Sequence, residues 1–181
     1  MTLDADEYLH LAVHAAKTRE PHACLGYLKE VLRMQPDHAQ ALHLLASQHA
    51  SLGLTARAIE GLEHALRADP ALELARLQLA MLLLDAQRPA EARAQFAALA
   101  GARDAALRHY AAAVPALLDG RIDAGREHVA QGASLREGNE ALAALMERLA
   151  ARFASAAVPR GPDRGEDVFL GAYGPRPGRG G

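Results

Sequence analysis

The sequence from residue 39 to residue 70, AQALHLLASQHASLGLTARAIEGLEHALRADP, contains two helix-forming segments separated by a glycine. Apolar residues recur at helical spacing over 39–52, and Gly53 then supplies a turn. A second helix is expected over 55–68, because Pro70 disfavours helix in the residue before it. This stretch therefore predicts a pair of antiparallel helices.

The same pattern recurs at a spacing of 34 residues on both sides of this pair. Five columns of small or apolar residues align over three units: Leu11, Leu45 and Leu79; Ala12, Ala46 and Ala80; Cys24, Ala58 and Ala92; Leu28, Leu62 and Phe96; and Val31, Ala65 and Leu99. The small residues allow two helix backbones to approach closely, and the larger ones fill the remaining space. Repetition at this period predicts a helical repeat protein.

The 34-residue unit resembles the tetratricopeptide repeat, which has a large residue, Leu followed by a small residue, a second small residue, an aromatic or Leu, and Pro. The matching residues are Tyr8, Leu11, Ala12, Cys24, Leu28 and Pro36 in the first unit, Leu42, Leu45, Ala46, Ala58, Leu62 and Pro70 in the second, and Leu79, Ala80, Ala92 and Phe96 in the third. Arg76 and Asp104 replace the large residue and the proline of the third unit. The resemblance implies an all-α, right-handed solenoid of antiparallel helix pairs.

The resemblance covers about residues 4–135 and divides them into four units, at about 4–37, 38–71, 72–105 and a degenerate 106–135. The fourth unit aligns at a shift of 33 through Tyr110, Leu117, Gly125 and Val129. Pro115 lies within its first helix and is expected to kink that helix.

Residues 139–154 carry an apolar stripe at helical spacing, formed by Leu142, Leu145, Met146, Leu149 and Phe153. A solenoid needs an amphipathic helix to cover its open end, so a capping helix is predicted here. A dimer interface is the alternative.

The segment 155–181 differs in composition, with seven Gly and four Pro among its residues. This composition predicts a flexible tail without a packed core. An apolar motif over 167–173 interrupts it, and basic residues follow. One interpretation is a weakly structured tail. The other is a docking motif that binds a partner or the chain's own groove, carried by Val168, Phe169, Leu170, Tyr173 and Arg176.

In the tetratricopeptide family the first helix of each unit lines the concave face, so the resemblance implies which side chains meet a partner. The positions are Leu9, Val13 and Lys17 in the first unit, Gln40, His43 and Ser47 in the second, and Leu74, Leu77, Met81 and Leu84 in the third. The set is mostly apolar in the first and third units. The positions at which some family members clamp a C-terminal carboxylate with Lys and Asn are Leu9, Val13, Leu44 and Gln78 here, so that clamp is absent. An apolar helix or extended peptide is therefore the predicted ligand.

No motif for catalysis or for a cofactor occurs in the sequence, so a non-catalytic protein without cofactors is predicted. Cys24 occupies a column of small residues and is expected to be a buried core residue. Asp6, His10 and His14 share one helix face at a spacing that can hold a metal. A closed site needs more ligands, so surface histidines are the preferred interpretation.

Composition favours a cytoplasmic protein, and the Ala/Arg bias suggests a bacterial one. The chain has 181 residues, a formal net charge of -2 and 50% apolar residues. It shows no basic patch for nucleic acid, no signal peptide and no apolar run long enough for a membrane span.

The expected function is an adaptor or chaperone-like protein that holds another protein. In length and repeat type it is similar to the small repeat chaperones of bacterial secretion systems. The alternatives are a structural subunit attached through the tail, or a regulatory subunit of a bacterial modifying or polysaccharide-making enzyme. A tail-mediated complex and a homo-oligomer both stay open.

Overall fold

The computed structural model describes residues 3–135, and within this range every regular element is helical. The elements are α1 (Ala5–Lys17), α2 (Pro21–Met34), α3 (Ala39–Ser51), α4 (Thr55–Ala68), α5 (Glu73–Asp85), α6 (Pro89–Ala98), a 3₁₀ turn (Leu99–Gly101), α7 (Ala105–Leu118) and α8 (Ile122–Ser134). The all-α prediction is confirmed. The predicted helix over 139–154 and the tail over 155–181 lie outside the described residues.

The helix pair predicted from residues 39–70 is present as α3 and α4. Helix α4 has the predicted bounds, and α3 ends one residue earlier than expected. Short turns join α1 to α2, α3 to α4 and α7 to α8, and the two helices of each of these pairs pack against each other. None of the described helices is long and apolar enough to cross a membrane.

Side-chain caps set the start of α1, α3 and α7. Asp4 and Glu7 form a reciprocal capping box at α1, in which the Glu7 amide donates to Asp4 Oδ1 at 2.8 Å and the Asp4 amide donates to Glu7 Oε2 at 2.9 Å. Asp104 accepts from the Ala106 amide at 2.8 Å at the start of α7. Such caps satisfy amides that have no partner within the helix. The caps of α1 and α3 therefore fix where two helices with predicted binding residues begin.

A left-handed residue follows each of these four first helices, α1, α3, α5 and α7. The residues are Arg19 (φ 59°), Gly53 (φ 73°), Gln87 (φ 59°) and Gly120 (φ 74°), at spacings of 34, 34 and 33. This conformation is usual just after a helix C-terminus, where glycine adopts it without strain. The turn geometry therefore recurs even where arginine or glutamine replaces glycine.

The described chain forms two compact units, one over residues 3–75 and the other over 76–135, and the division falls within α5. Unit 1 has a core of small and aliphatic side chains, namely Ala5, Ala12, Ala15, Ala16, Cys24, Leu28, Val31, Ala41 and Leu44. Several aligned columns therefore lie in this core. Leu11 departs from its column, because it is exposed whereas Leu79 is buried.

In unit 2, helices α7 and α8 approach each other closely through two glycines. A Cβ atom at Gly125 would lie 2.5 Å from Leu117 Cδ2, and one at Gly132 would lie 2.6 Å from Tyr110 Cε1. Larger residues would therefore force the helices or these side chains apart. Pro115 lies inside α7, and the helix continues past it to Leu118.

Candidate protein-binding surface

One face of α1 carries three of the predicted binding residues. Leu9 and Val13 are half-buried, and their buried parts pack against the core cluster that contains Leu44 of α3. Lys17 lies one turn further along and is exposed. This face of α1 therefore offers two apolar side chains followed by a cation.

The matching face of α3 is more polar. Gln40 is exposed and His43 is half-buried. Ser47 is buried, and its hydroxyl donates to the His43 carbonyl oxygen at 3.0 Å. Because that hydroxyl is used within the helix, α3 presents mainly Gln40 and His43.

A contact between the N-terminal ends of α1 and α3 brings these two faces side by side. The His38 imidazole caps α3 by accepting from the Ala41 amide at 3.4 Å, and its Nε2 lies 4.0 Å from Asp6 Oδ1. We use the name α1–α3 surface for the accessible predicted residues of both helices, which are Leu9, Val13, Lys17, Gln40 and His43.

The predicted residues of α5 differ in accessibility. Leu74, in unit 1, is exposed, and Leu84, in unit 2, is half-buried. Leu77 and Met81 are only 1% and 6% exposed, which is the burial of core side chains. These two residues present little surface to a partner in this structure. The tail motif formed by Val168, Phe169, Leu170, Tyr173 and Arg176 lies outside the described residues.

Cys24 lies in the core of unit 1, as its column predicted. Burial raises the pKa of its thiol to about 11, so the thiol stays protonated at neutral pH. A protonated, buried thiol is a poor nucleophile. His10 and His14 are exposed, and among the described residues no group of three or more His, Cys, Asp or Glu side chains is placed to hold a metal ion.

The ion pairs with the shortest distances lie in unit 2, on helix α6 and at the α7–α8 turn. Arg88 holds Glu91 at 2.6 Å, and its hydrogen bond lowers the pKa of that carboxyl. Asp119 accepts from Arg93 at 2.5 Å and from Arg121 at 3.1 Å, and these two hydrogen bonds lower its pKa. The Arg93–Asp119 pair links α6 to the α7–α8 turn in unit 2.

The α3–α4 turn, which the sequence predicted from Gly53 alone, also exposes two apolar side chains. Leu52 is 55% exposed and Leu54 is 40% exposed, on either side of Gly53. The signal was present in the sequence, because the equivalent turn residues elsewhere are mostly charged or polar: Thr18, Arg19 and Glu20; Ala86, Gln87 and Arg88; and Asp119, Gly120 and Arg121.

Comparison with family models gives no match, and comparison with curated proteins gives none either. Solved structures do match. A crystal structure of MamA is 14% identical, with a TM-score of 0.60 over 74% of this chain and 78% of that one. A MamA structure from Desulfovibrio magneticus RS-1 is 21% identical, with a TM-score of 0.59 over 87% of this chain and 91% of that one.

An O-GlcNAc transferase from Thermobaculum terrenum is also similar to this chain. It is 21% identical, with a TM-score of 0.63 over 74% of this chain, and the match spans 27% of the transferase. All of these identities are below 25%, so the likeness shows the fold alone. That fold is the all-α, tetratricopeptide-type arrangement of antiparallel helix pairs that the sequence predicted.

Proposed function

We propose that this protein is a non-catalytic adaptor or chaperone-like protein that binds an apolar helix or extended peptide of another protein on the α1–α3 surface. The observation that carries the proposal is the partial burial of Leu9 and Val13. Both rest on the core of unit 1, and both keep part of their surface exposed. The core holds them in place, so a ligand gains apolar contacts without having to order them first.

The dimensions of α1 suit a short segment. Its 13 residues span about 20 Å at 1.5 Å per residue. About six residues of an extended peptide, or a helix of similar length to α1, cover that distance. Covering the remaining surface of Leu9 and Val13 stabilises the complex by about 1 kcal/mol for each side chain, since complete burial of such residues is worth about 1.5–3 kcal/mol.

Polar groups at the edges of the α1–α3 surface favour one orientation of the ligand. Lys17 supplies a positive charge at the C-terminal end of α1, whereas Asp6 supplies a negative charge in the first turn of the helix. A segment with apolar side chains in its middle and an acidic residue at the Lys17 end fits this pattern. Gln40 and His43 add hydrogen-bonding groups beside the apolar pair.

The tail motif is part of this proposal as a second docking element. Phe169, Leu170 and Tyr173 place three large apolar side chains within five residues. In an adaptor, such a motif binds either a further protein or the adaptor itself. A tether raises the effective concentration of the motif into the millimolar range, so a weak contact is enough for self-docking.

The chain's two lysines allow a direct footprinting test of the α1–α3 surface. Lys17 belongs to this surface, whereas Lys29 is exposed on α2 and serves as the internal reference. The partner is first identified by affinity purification of the full-length chain and then prepared in recombinant form. Acetylation of each lysine is measured by mass spectrometry with and without it. Saturating partner is expected to slow acetylation of Lys17 at least fivefold and to leave Lys29 unchanged.

A matched set of variants tests the apolar contacts by calorimetry. Leu9→Gln together with Val13→Thr is expected to weaken partner binding by about 2 kcal/mol, which is about thirtyfold. Lys29→Glu is the control and should leave the affinity within about twofold. Equal protection of both lysines, or an affinity that the Leu9 and Val13 variants do not change, would contradict the proposed surface.

A further inference from the structure

The turn between α3 and α4 exposes two leucines whose presence the turn itself does not explain. Gly53 adopts the left-handed conformation that the turn requires, and nothing lies within 4 Å of the position where its Cβ would be. Leu52 and Leu54 flank it in solvent. Equivalent turns in this chain are formed with threonine, glutamine, arginine and aspartate, so leucine is not needed for the geometry.

Leu54 also occupies a position where leucine is unfavourable for the helix that follows. It is the N-cap of α4, and no side chain there accepts a hydrogen bond from the first turn. Serine, threonine, aspartate and asparagine stabilise a helix at this position, whereas aliphatic residues do not. The N-cap residues of α2, α6 and α8 make no such bond either, but they are charged: Glu20, Arg88 and Arg121. Leu54 therefore costs helix stability and exposes apolar surface at the same time.

Three cations lie at the same end of unit 1 as these leucines. Helices α1 and α3 run in the same direction, because each is antiparallel to α2, so the turns that follow them lie at one end of unit 1. We define the turn end of unit 1 as Lys17, Arg19, Leu52, Leu54 and Arg57. The three charged members are exposed, and within residues 3–135 none of them forms an ion pair.

The opposite end of unit 1 has the opposite charge pattern. It carries the carboxylates of Asp4, Asp6, Glu7, Asp37 and Asp69, at the start of α1 and around the turns that follow α2 and α4. Two cations, Arg33 and Arg67, lie in the last turns of α2 and α4 at this end, and Arg33 is paired with Glu30, so the carboxylates outnumber the cations. At the turn end the cations face one acidic residue, Glu20. Part of this polarity has a local explanation, since Asp and Glu favour helix N-termini and Lys favours a C-terminus. Whatever its origin, this charge difference attracts an acidic segment to the turn end and repels it from the other end.

The chain's own sequence contains a segment with the complementary chemistry. Residues 166–170 read Glu-Asp-Val-Phe-Leu, which is two adjacent acids followed directly by three apolar side chains. They lie outside the described residues. We propose that this segment docks on the turn end of unit 1, with Phe169 and Leu170 against Leu52 and Leu54 and the two carboxylates beside the cations. This inference rests on the proposed function, in which the tail motif is a docking element.

Thirty residues, 136–165, lie between the described chain and this segment; of these, 139–154 are predicted to form a helix and 155–165 to be a flexible tether. Tethering makes docking intramolecular, at an effective concentration in the millimolar range. A contact with a dissociation constant of about 0.1 mM is then occupied about nine-tenths of the time. A docked tail covers Phe169 and Leu170, so a partner that binds the motif must first displace it.

Tryptic cleavage of the full-length chain measures this occupancy. The Arg164–Gly165 bond lies directly before the segment, and the Arg179–Gly180 bond lies beyond it and serves as the reference. Cleavage after Arg164, relative to Arg179, is expected to be about tenfold slower in the wild-type chain than in the Leu52→Ser, Leu54→Ser variant. The Phe169→Ala, Leu170→Ala variant should lose the protection equally. High salt should weaken it, because exposed charges are screened.

Two controls separate docking from loss of the fold. Met34 is exposed by 37% at the opposite end of unit 1, close to the 40% of Leu54, so Met34→Ser removes exposed apolar surface without touching the turn end. This variant should keep the wild-type cleavage rate. Serine is a good N-cap residue, so the Leu54→Ser substitution is expected to raise the thermal midpoint of the chain. Loss of protection in a more stable protein cannot result from unfolding.

A labelled peptide of residues 163–175 gives a second measurement. It is titrated into the full-length Phe169→Ala, Leu170→Ala chain, and its affinity should fall at least tenfold when Leu52→Ser and Leu54→Ser are added. The proposal would be overturned by equal cleavage rates in all variants or by protection that survives the leucine substitutions. It would also be overturned by protection that rises with protein concentration, because the tail would then dock on a second copy of the chain. The proposed function fails by a different readout, an unchanged partner affinity of the Leu9→Gln, Val13→Thr variant, because neither residue belongs to the turn end whereas Lys17 belongs to both surfaces.

Discussion

The close approach of α7 and α8 predicts that a single methyl group at Gly132 destabilises unit 2. The Cβ of an alanine there would lie 2.6 Å from Tyr110 Cε1, 2.9 Å from Cδ1 and 3.0 Å from Cζ. Tyr110 is 1% exposed, so its ring cannot move into solvent. The substitution Gly132→Ala is therefore expected to force either the ring or the helix to shift.

The net magnitude follows from two opposing contributions. Overpacking of a well-packed contact costs about 1–3 kcal/mol. Alanine is better than glycine in a helix by about 1 kcal/mol, which offsets part of that cost. A net loss of about 1–2 kcal/mol is expected for Gly132→Ala. Gly26 is the matched control, because it lies within α2 and nothing is within 4 Å of its Cβ position. There the same substitution should stabilise the protein by about 0.5–1 kcal/mol.

Urea unfolding of both variants, followed by circular dichroism, tests the prediction, since opposite shifts of the two midpoints are expected. A double-mutant cycle with Tyr110→Leu identifies the cause. With the ring removed, Gly132→Ala should become neutral or stabilising, because the methyl group then has room. If Gly132→Ala raises the midpoint as much as Gly26→Ala does, the close approach of α7 and α8 is wrong.

Three further predictions concern turns, caps and pH. Gln87→Gly relieves the strain of a positive φ of 59° and should raise the urea midpoint by an amount equivalent to about 0.5–1 kcal/mol. Gly53→Ala introduces that strain at φ 73° and should lower the midpoint by a similar amount. Midpoint shifts of the same sign for the two variants would contradict the shared turn geometry. Asp4→Ala removes the capping box of α1 and should cost about 1 kcal/mol in the same assay, with restoration by Asn as the control. The hydrogen bond from Arg93 lowers the pKa of Asp119, so its contribution to stability is present above the ordinary pKa of aspartate and is lost as the pH falls through the lowered value. Asp119→Asn should therefore lower the thermal midpoint at pH 7, and the difference from wild type should shrink as the pH falls below the ordinary pKa of aspartate. A pH-independent difference would exclude this role.

The helix pairs could be predicted because their determinants are local and periodic. Gly53 and Pro70 mark the ends of α3 and α4, and the aligned small residues mark where helices touch. Cys24 is an example, since its column alone predicted a buried side chain. These features depend on spacing along the chain, which the sequence shows directly.

The accessibility of the predicted binding residues could not be read in the same way. The family alignment gives the direction of a side chain on its helix, but exposure depends on how many neighbouring side chains cover it. Leu74 and Met81 were both predicted to face a partner, yet the first is exposed and the second is buried. The left-handed conformations of Arg19 and Gln87 were hidden for a related reason, since neither residue type signals a positive φ.

The positions that best distinguish this chain from a generic repeat are those where a residue opposes its local role. Glycine or aspartate would suit the α3–α4 turn, but Leu52 and Leu54 flank it and one of them occupies a helix N-cap. Local energetics alone would not favour that choice, so the compensating contact is expected outside the turn. Leu9 and Val13 differ in this respect, because their buried parts already stabilise unit 1 whether or not a ligand is present. Substitutions at Leu9 should therefore lower both the stability of unit 1 and the affinity for a ligand. A polar residue at Leu54 should instead raise stability and remove binding. A residue whose replacement has these opposite effects is one retained for an interaction.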